Sequence, residues 1–144
     1  MRVNRSIPAS QVIPELAYPD VPAAADWLCN TFGFQPRLRI ADHRIQLTYG
    51  DGALVVVGSD AGVADSAALS THSVLVRVAD ADEHYARARA AGATITSPPT
   101  TYPFGERQYS AQDPFGHRWT FSQSVADIDP RDWGGSLAGA DDPS

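Results

Sequence analysis

The sequence predicts an α+β domain built from two tandem βαβββ units, and three observations carry that expectation. Leu16-Ala-Tyr-Pro-Asp20, a helical stretch and Gly33-Phe34 recur as Val76-Arg-Val-Ala-Asp80, a helical stretch and Gly92-Ala93. Tyr49-Gly-Asp-Gly52, leading into the apolar residues 53–57, returns as Asp113-Pro-Phe-Gly116 leading into residues 117–121. The offset grows from 60 residues at Asp20 and Asp80 to 64 at Gly52 and Gly116, which assigns about four extra residues of the second copy to the loop 98–106. A unit this short cannot close a core alone, so the copies are expected to share one, with a ligand cleft where they meet.

Each element follows in order. Residues 1–10 read as a loose arm, and residues 11–18 as a strand whose Pro14 suits an edge. Val21, Ala24, Ala25, Leu28 and Phe32 fall on one helical face, with Asp20 as N-cap, Pro22 in the first turn and Gly33 as the stop. Residues 38–40 and 43–49 alternate as strands, and Gly50-Asp51-Gly52 turns the chain into the strand 53–57. The small-residue stretch 60–71 is the linker between units. Unit two then gives a strand at 73–78, a helix at 80–91, strands at 93–96 and 107–111, a turn at 113–116 and a strand at 118–122. This divides the chain into an arm (1–10), one domain (11–123, units 11–58 and 73–123) and an acidic tail (124–144) in which Trp133 is placed to pin the tail down.

A net charge of -6 argues against nucleic acid or an anionic membrane as partner, since both require a basic surface. All 11 basic residues are Arg, so Schiff-base chemistry and a phosphate-loop lysine are excluded. One cysteine, Cys29, excludes an internal disulfide and any multi-cysteine zinc site. Residues 1–10 hold no apolar run and no stretch approaches the roughly 18 apolar residues of a membrane span. A cytoplasmic protein of bacterial composition is expected.

Asp80-Ala-Asp-Glu-His-Tyr85, Ala90-Ala-Gly-Ala93, Tyr102-Pro-Phe-Gly-Glu-Arg107 and Asp113-Pro-Phe-Gly-His-Arg-Trp119 resemble the second module of the glyoxalase, bleomycin-resistance and extradiol-dioxygenase superfamily, the vicinal oxygen chelate proteins. Ile13-Pro-Glu-Leu16, Trp27 and Phe32-Gly-Phe34 resemble the first. The resemblance implies paired modules whose sheets curl into a cup, and a homodimer. In metal-using members each module supplies a His or Gln on its first strand and a Glu on its last. Carried over, those positions fall on Ile13 and Val56 in unit one and on Ser73 and Thr120 in unit two, an apolar pair and a hydroxyl pair. These cannot hold a divalent cation, so neither a metal nor another cofactor is expected. Glu15 with His72, one residue from Ser73 and expected to face away, would still be only two ligands.

The expected ligand-binding residues are therefore Glu15, Gln46, Tyr102, Phe104, Arg107 and Thr120, with no catalytic residue assigned. Glu15 lies two positions from Ile13 and so shares its cup face, where apolar walls would make it an acid, a base or an anchor for a cation. Its alternative is a solvated rim position or a pair with an arginine. Gln46 alternates with Ile45, Leu47 and Tyr49, which directs its amide into the cup, for polar ligand recognition or for a hydrogen bond to Glu15. Arg107 offers a planar fork for an anionic ligand, or else pairs with Glu106 or Asp113. Tyr102 and Phe104 sit on the loop that breaks the repeat and are placed to cover a flat ligand, or to pack on a dimer mate. Trp119, Phe121 and Trp27 are expected under the helices, His117 in local turn bonding, and His84 and His43 in solvent.

The expected function is a metal-free binding protein for a small, partly aromatic organic molecule, sequestering a drug or toxic metabolite. Two alternatives remain open: a metal-dependent lyase, isomerase or dioxygenase, and an interaction module with a filled cup.

Overall fold

The computed structural model describes residues 2–59 and 71–139. Its elements are β1 (Glu15–Tyr18), α1 (Val21–Phe32), β2 (Gln35–Ile40), β3 (Arg44–Tyr49), β4 (Gly52–Gly58), β5 (Val74–Arg77), α2 (Ala81–Ala90), β6 (Thr94–Thr101), β7 (Glu106–Gln112) and β8 (Arg118–Ser124), with a 3-10 turn at Pro130–Trp133. They form two four-stranded mixed sheets ordered β1-β4-β3-β2 and β5-β8-β7-β6. In each, the strand before the helix lies parallel to the last strand of its module, and the remaining pairs are antiparallel. This is the tandem βαβββ architecture. Most of the expected linker, residues 60–70, lies outside the described residues.

Helix α1 begins and ends on local chemistry. The Asp20 carboxylate accepts from Ala23 N at 3.1 Å, and Gly33 takes the left-handed conformation (φ 89°) that ends the helix. The buried face is the expected Val21, Ala24, Ala25, Leu28 and Phe32, joined by Thr31. Helix α2 repeats the cap with Asp80 and Glu83 N, and the two helices touch.

A single core joins the modules. Phe32 stands at its centre, with ring centroids 4.7 Å from Phe121 and 5.3 Å from Trp119, so the first helix packs directly on the second module's last strand. A buried polar knot ties the same halves together. Tyr18 donates to Asp113 Oδ2 at 2.6 Å, and Trp119 Nε1 and the backbone amides of Phe115 and His117 also donate to that carboxylate. His117 Nε2 donates to the Ala17 carbonyl at 2.8 Å, so this residue bonds across modules as well as within its turn.

Three sequence expectations change. His84, expected in solvent, is half-buried: Nε2 donates to the Phe32 carbonyl at 2.8 Å and Nδ1 accepts from the Tyr109 hydroxyl. Strand β6 runs on to Thr101 through Pro98 and Pro99, which an edge strand tolerates. The second copy also carries an extra residue in its last hairpin. Tyr49 pairs Gly52 across a two-residue turn, whereas the turn at 113–117 is longer by one, so Val55 rather than Val56 is the counterpart of Thr120.

Candidate functional site

Alternation along each strand gives every sheet a helix side and an outer side. Leu16, Tyr18, Ile45, Leu47, Leu54 and Val56 belong to the core, which leaves Glu15, Arg44, Gln46 and Val55 on the outer face of the first module. Tyr109, Ala111, Trp119 and Phe121 likewise leave Gln108, Ser110, Thr120 and Ser122 on the outer face of the second. Val56, expected to face the cup, is instead a core residue.

Two clefts open on these faces. One, about 560 Å³, lies at the seam of β1 and β5 and is lined by Pro14, Glu15, Leu16, His72, Ser73, Val74 and Leu75. The other, about 430 Å³, shares Ser73 and is lined further by Ser97, Ser110, Gln112, Arg118 and Thr120. Glu15 and Thr120 are thus brought to adjoining clefts. His72, expected to face away, lines the first of them, and its ring centroid is 5.9 Å from that of His117.

The chemistry of this surface is mostly neutral. Thr120 and Ser110 share a hydroxyl hydrogen bond at 3.0 Å. Gln108 Nε2 donates to Ser122 Oγ at 3.1 Å, and Ser122 in turn donates to Glu106 at 2.7 Å. Hydrogen bonds from Ser124 and Ser122, then the charge of Arg77, hold the Glu106 carboxyl below the usual carboxylate range. Glu15 is not walled by apolar groups. Its side chain is 53% exposed and ion-paired with Arg44, the arrangement expected of its alternative reading.

The other expected ligand residues lie elsewhere. Gln46 is on the outer face but sealed, 3% exposed, beneath the N-terminal arm. Arg107 turns to the helix side, where its guanidinium grips Asp82 of α2 at 2.9 and 3.0 Å; neither Glu106 nor Asp113 is its partner. Tyr102 and Phe104 stack on one another at 5.3 Å, and Phe104 meets Trp133 of the chain's own tail at 5.4 Å. Cys29 lies in a separate cleft between α1 and β2, where burial and then Asp26 push its thiol pKa up, which disfavours a thiolate nucleophile.

The metal positions of the superfamily become Ile13, Val55, Ser73 and Thr120 in the observed register. Among the described residues no three His, Cys, Asp or Glu side chains converge as a metal-binding group. The donor set does not fit a divalent cation held by protein alone.

With the fold and this surface defined, the comparisons place the chain. Residues 11–121 match the Glyoxalase/Bleomycin resistance protein/Dioxygenase superfamily, and the chain belongs to it. Among solved structures it is similar to TioX from Micromonospora sp. ML1, at 37% identity over 81% of this chain and 100% of that one, with a TM-score of 0.67. It is also similar to the bleomycin-binding protein of bleomycin-producing Streptomyces verticillus, solved with copper(II)-bleomycin (23% identity, 76% and 92% coverage, TM-score 0.59). A third likeness is to the fosfomycin resistance protein FosX of Listeria monocytogenes (14%, 80% and 93%, TM-score 0.64). No curated protein matches. No helix among the described residues is long and apolar enough to cross a membrane.

Proposed function

We propose that this chain is a metal-free small-molecule binding protein that sequesters a drug or toxic metabolite, acting as a homodimer. The observation that carries this reading is the lining of the two adjoining clefts, where hydroxyls, one half-exposed carboxylate, the single imidazole of His72 and an exposed leucine stand where a metal enzyme needs three or four imidazoles and carboxylates. Such a surface offers apolar contact and hydrogen bonds to a ligand without activating water or polarising a carbonyl. The bleomycin-binding relative illustrates a metallated drug held on this fold, and at its level of identity it supports the fold alone.

The proposed recognition residues are Glu15 for a cationic group and Thr120, with Ser110 and Ser73, for acceptors and donors near it. Arg107, paired to Asp82, acts in this reading as a brace between β7 and α2. Tyr102 and Phe104 line neither cleft and present their half-exposed rings beside the tail, where Phe104 meets Trp133. The test is a thermal-shift screen of planar and cationic natural-product drugs, copper(II)-bleomycin among them, followed by calorimetry and product analysis. Binding without turnover is expected, with Glu15→Gln weakening a cationic ligand about ten- to a hundred-fold. A stoichiometric tightly bound metal with chelator-sensitive turnover would replace this reading with the enzyme.

A further inference from the structure

The outer faces of the two modules are equivalent in register but differ in cover. Gln46 pairs Val55 as Ser110 pairs Thr120, yet Gln46 and Val55 are 3% and 2% exposed while Ser110 and Thr120 are half open. The difference is the arm. Arg37 bridges Gln46 and the arm, giving one guanidinium nitrogen to Gln46 Oε1 at 2.5 Å and the other to the Arg5 carbonyl at 3.0 Å. Gln46 Nε2 donates to the next carbonyl, that of Ser6, at 2.8 Å. Pro8 is buried, and Ser10 Oγ donates to the Asp51 carbonyl at 2.7 Å.

These contacts have the form of ligand recognition. Residues 2–10 form no strand, so the arm joins no sheet ladder; two side-chain donors read two successive peptide carbonyls, and a proline two residues further on is buried. Arg37 reaches this position because the pairing of β2 with β3 slips between Pro36 and Leu38. Gln46 has its oxygen fixed by a donor that can never accept, which commits its amide N–H to an incoming carbonyl.

We infer that Arg37 and Gln46 form a carbonyl-reading site for a peptide turn, and that residues 5–10 of this chain, entered through a turn in which Ile7 N donates to the Asn4 carbonyl at 3.3 Å, are its resident occupant. The site shares its sheet with the small-molecule reading and stands without it, because neither its probe nor its readout involves a drug. A tethered occupant competes at an effective concentration on the order of millimolar. A free peptide therefore finds the site closed until the arm lifts.

The experiment uses the full chain and a fluorescein-labelled peptide of residues 2–10. Pro8→Asp places a charge at this buried position and is expected to release the arm, leaving melting temperature and circular dichroism close to the wild type. The released variant is expected to bind the peptide at least about tenfold more tightly than the wild type does, and Arg37→Ala or Gln46→Ala on that background to reverse the gain. Trypsin should cut after Arg5 faster in Pro8→Asp and in Arg37→Ala than in the wild type. A folded Pro8→Asp protein that binds the peptide no better than wild type, or binds it equally well without Arg37 and Gln46, overturns the proposal. Equal cleavage after Arg5 in all three proteins does so too.

Discussion

Asp113 shows how much of this molecule rests on single polar groups. It is buried, and four donors converge on it, one of them the hydroxyl of Tyr18 from 95 residues earlier. Burial first, then the Asp113 charge, push the Tyr18 phenol well above its ordinary value, so it remains a donor throughout the working pH range. Tyr18→Phe removes one charge-assisted bond and should cost about 1.5 to 3 kcal/mol, read as a lower urea midpoint at unchanged slope. A midpoint equal to wild type would show that the knot does not hold the modules together. His84 makes a second, pH-dependent prediction. Burial lowers its pKa and the Arg87 charge adds to this, while the hydrogen bond to Phe32 opposes it. With the folded value below the ordinary 6.5, the unfolded chain binds the proton first. Stability contributed by neutral His84 is complete above 6.5 and is lost as pH falls through the folded value. The stability advantage of wild type over His84→Gln should therefore be wide at pH 7.5 and narrower at pH 5, and a constant gap would count against it.

At the scale of elements, what the sequence discloses depends on whether a pattern carries phase. Helix α1 was legible to the residue, because Asp20, Gly33 and a 3.6-residue apolar spacing fix both ends and the inward face. Strand β4 was legible as a strand but not in its facing. Val55, Val56 and Val57 are chemically identical, so only the pairing with β1 and β3 shows that Val56 is inside. The same limit hid the long-range partners: Asp113 read as part of a local turn and His84 as solvated because Tyr18 and Phe32 are distant in sequence, and Arg107 found Asp82 on a helix rather than a carboxylate nearby. Alternation placed Gln46 on the face opposite Ile45 and Leu47, and Glu15 on that of Ile13, the position the resemblance supplies, though neither says anything of the Arg44 pair or the covering arm. The tail supplies a prediction at this scale. Gly105 has φ 86°, and a Cβ there would lie 2.3 Å from the Ala126 carbonyl oxygen, while the Gly105 carbonyl accepts from Val125 N. Gly105→Ala should detach the tail with little effect on the core, seen as faster tryptic cleavage after Arg131 at a nearly unchanged melting temperature.

For the molecule as a whole, the question is which surface remains to be covered. Of the four edge strands, β1 and β5 face one another at the seam, while β2 carries Pro36 with Arg37 and Arg39 and β6 carries Pro98 and Pro99 with pairing irregularities, both unfavourable to addition of another strand. Growth through the helix side is closed by the shared core. The outer faces are left, and there Leu75 is 65% exposed in the cleft at the β1 and β5 seam while the arm seals only the first module's sheet. An exposed leucine alone is ordinary, but one beside hydroxyls on an uncovered sheet is positioned for a second copy or a ligand. The proposed homodimer should therefore assemble through this face. Light scattering at micromolar concentration should give about twice the 15.4 kDa chain mass, and Leu75→Glu should shift it toward the monomer without lowering helix and strand content. If Leu75→Glu remains a dimer and still binds ligand as the wild type does, both the assembly surface and the cleft at the β1 and β5 seam have been misassigned. A monomeric wild type would leave the clefts to be completed within one chain and would remove only the dimer from the proposed function.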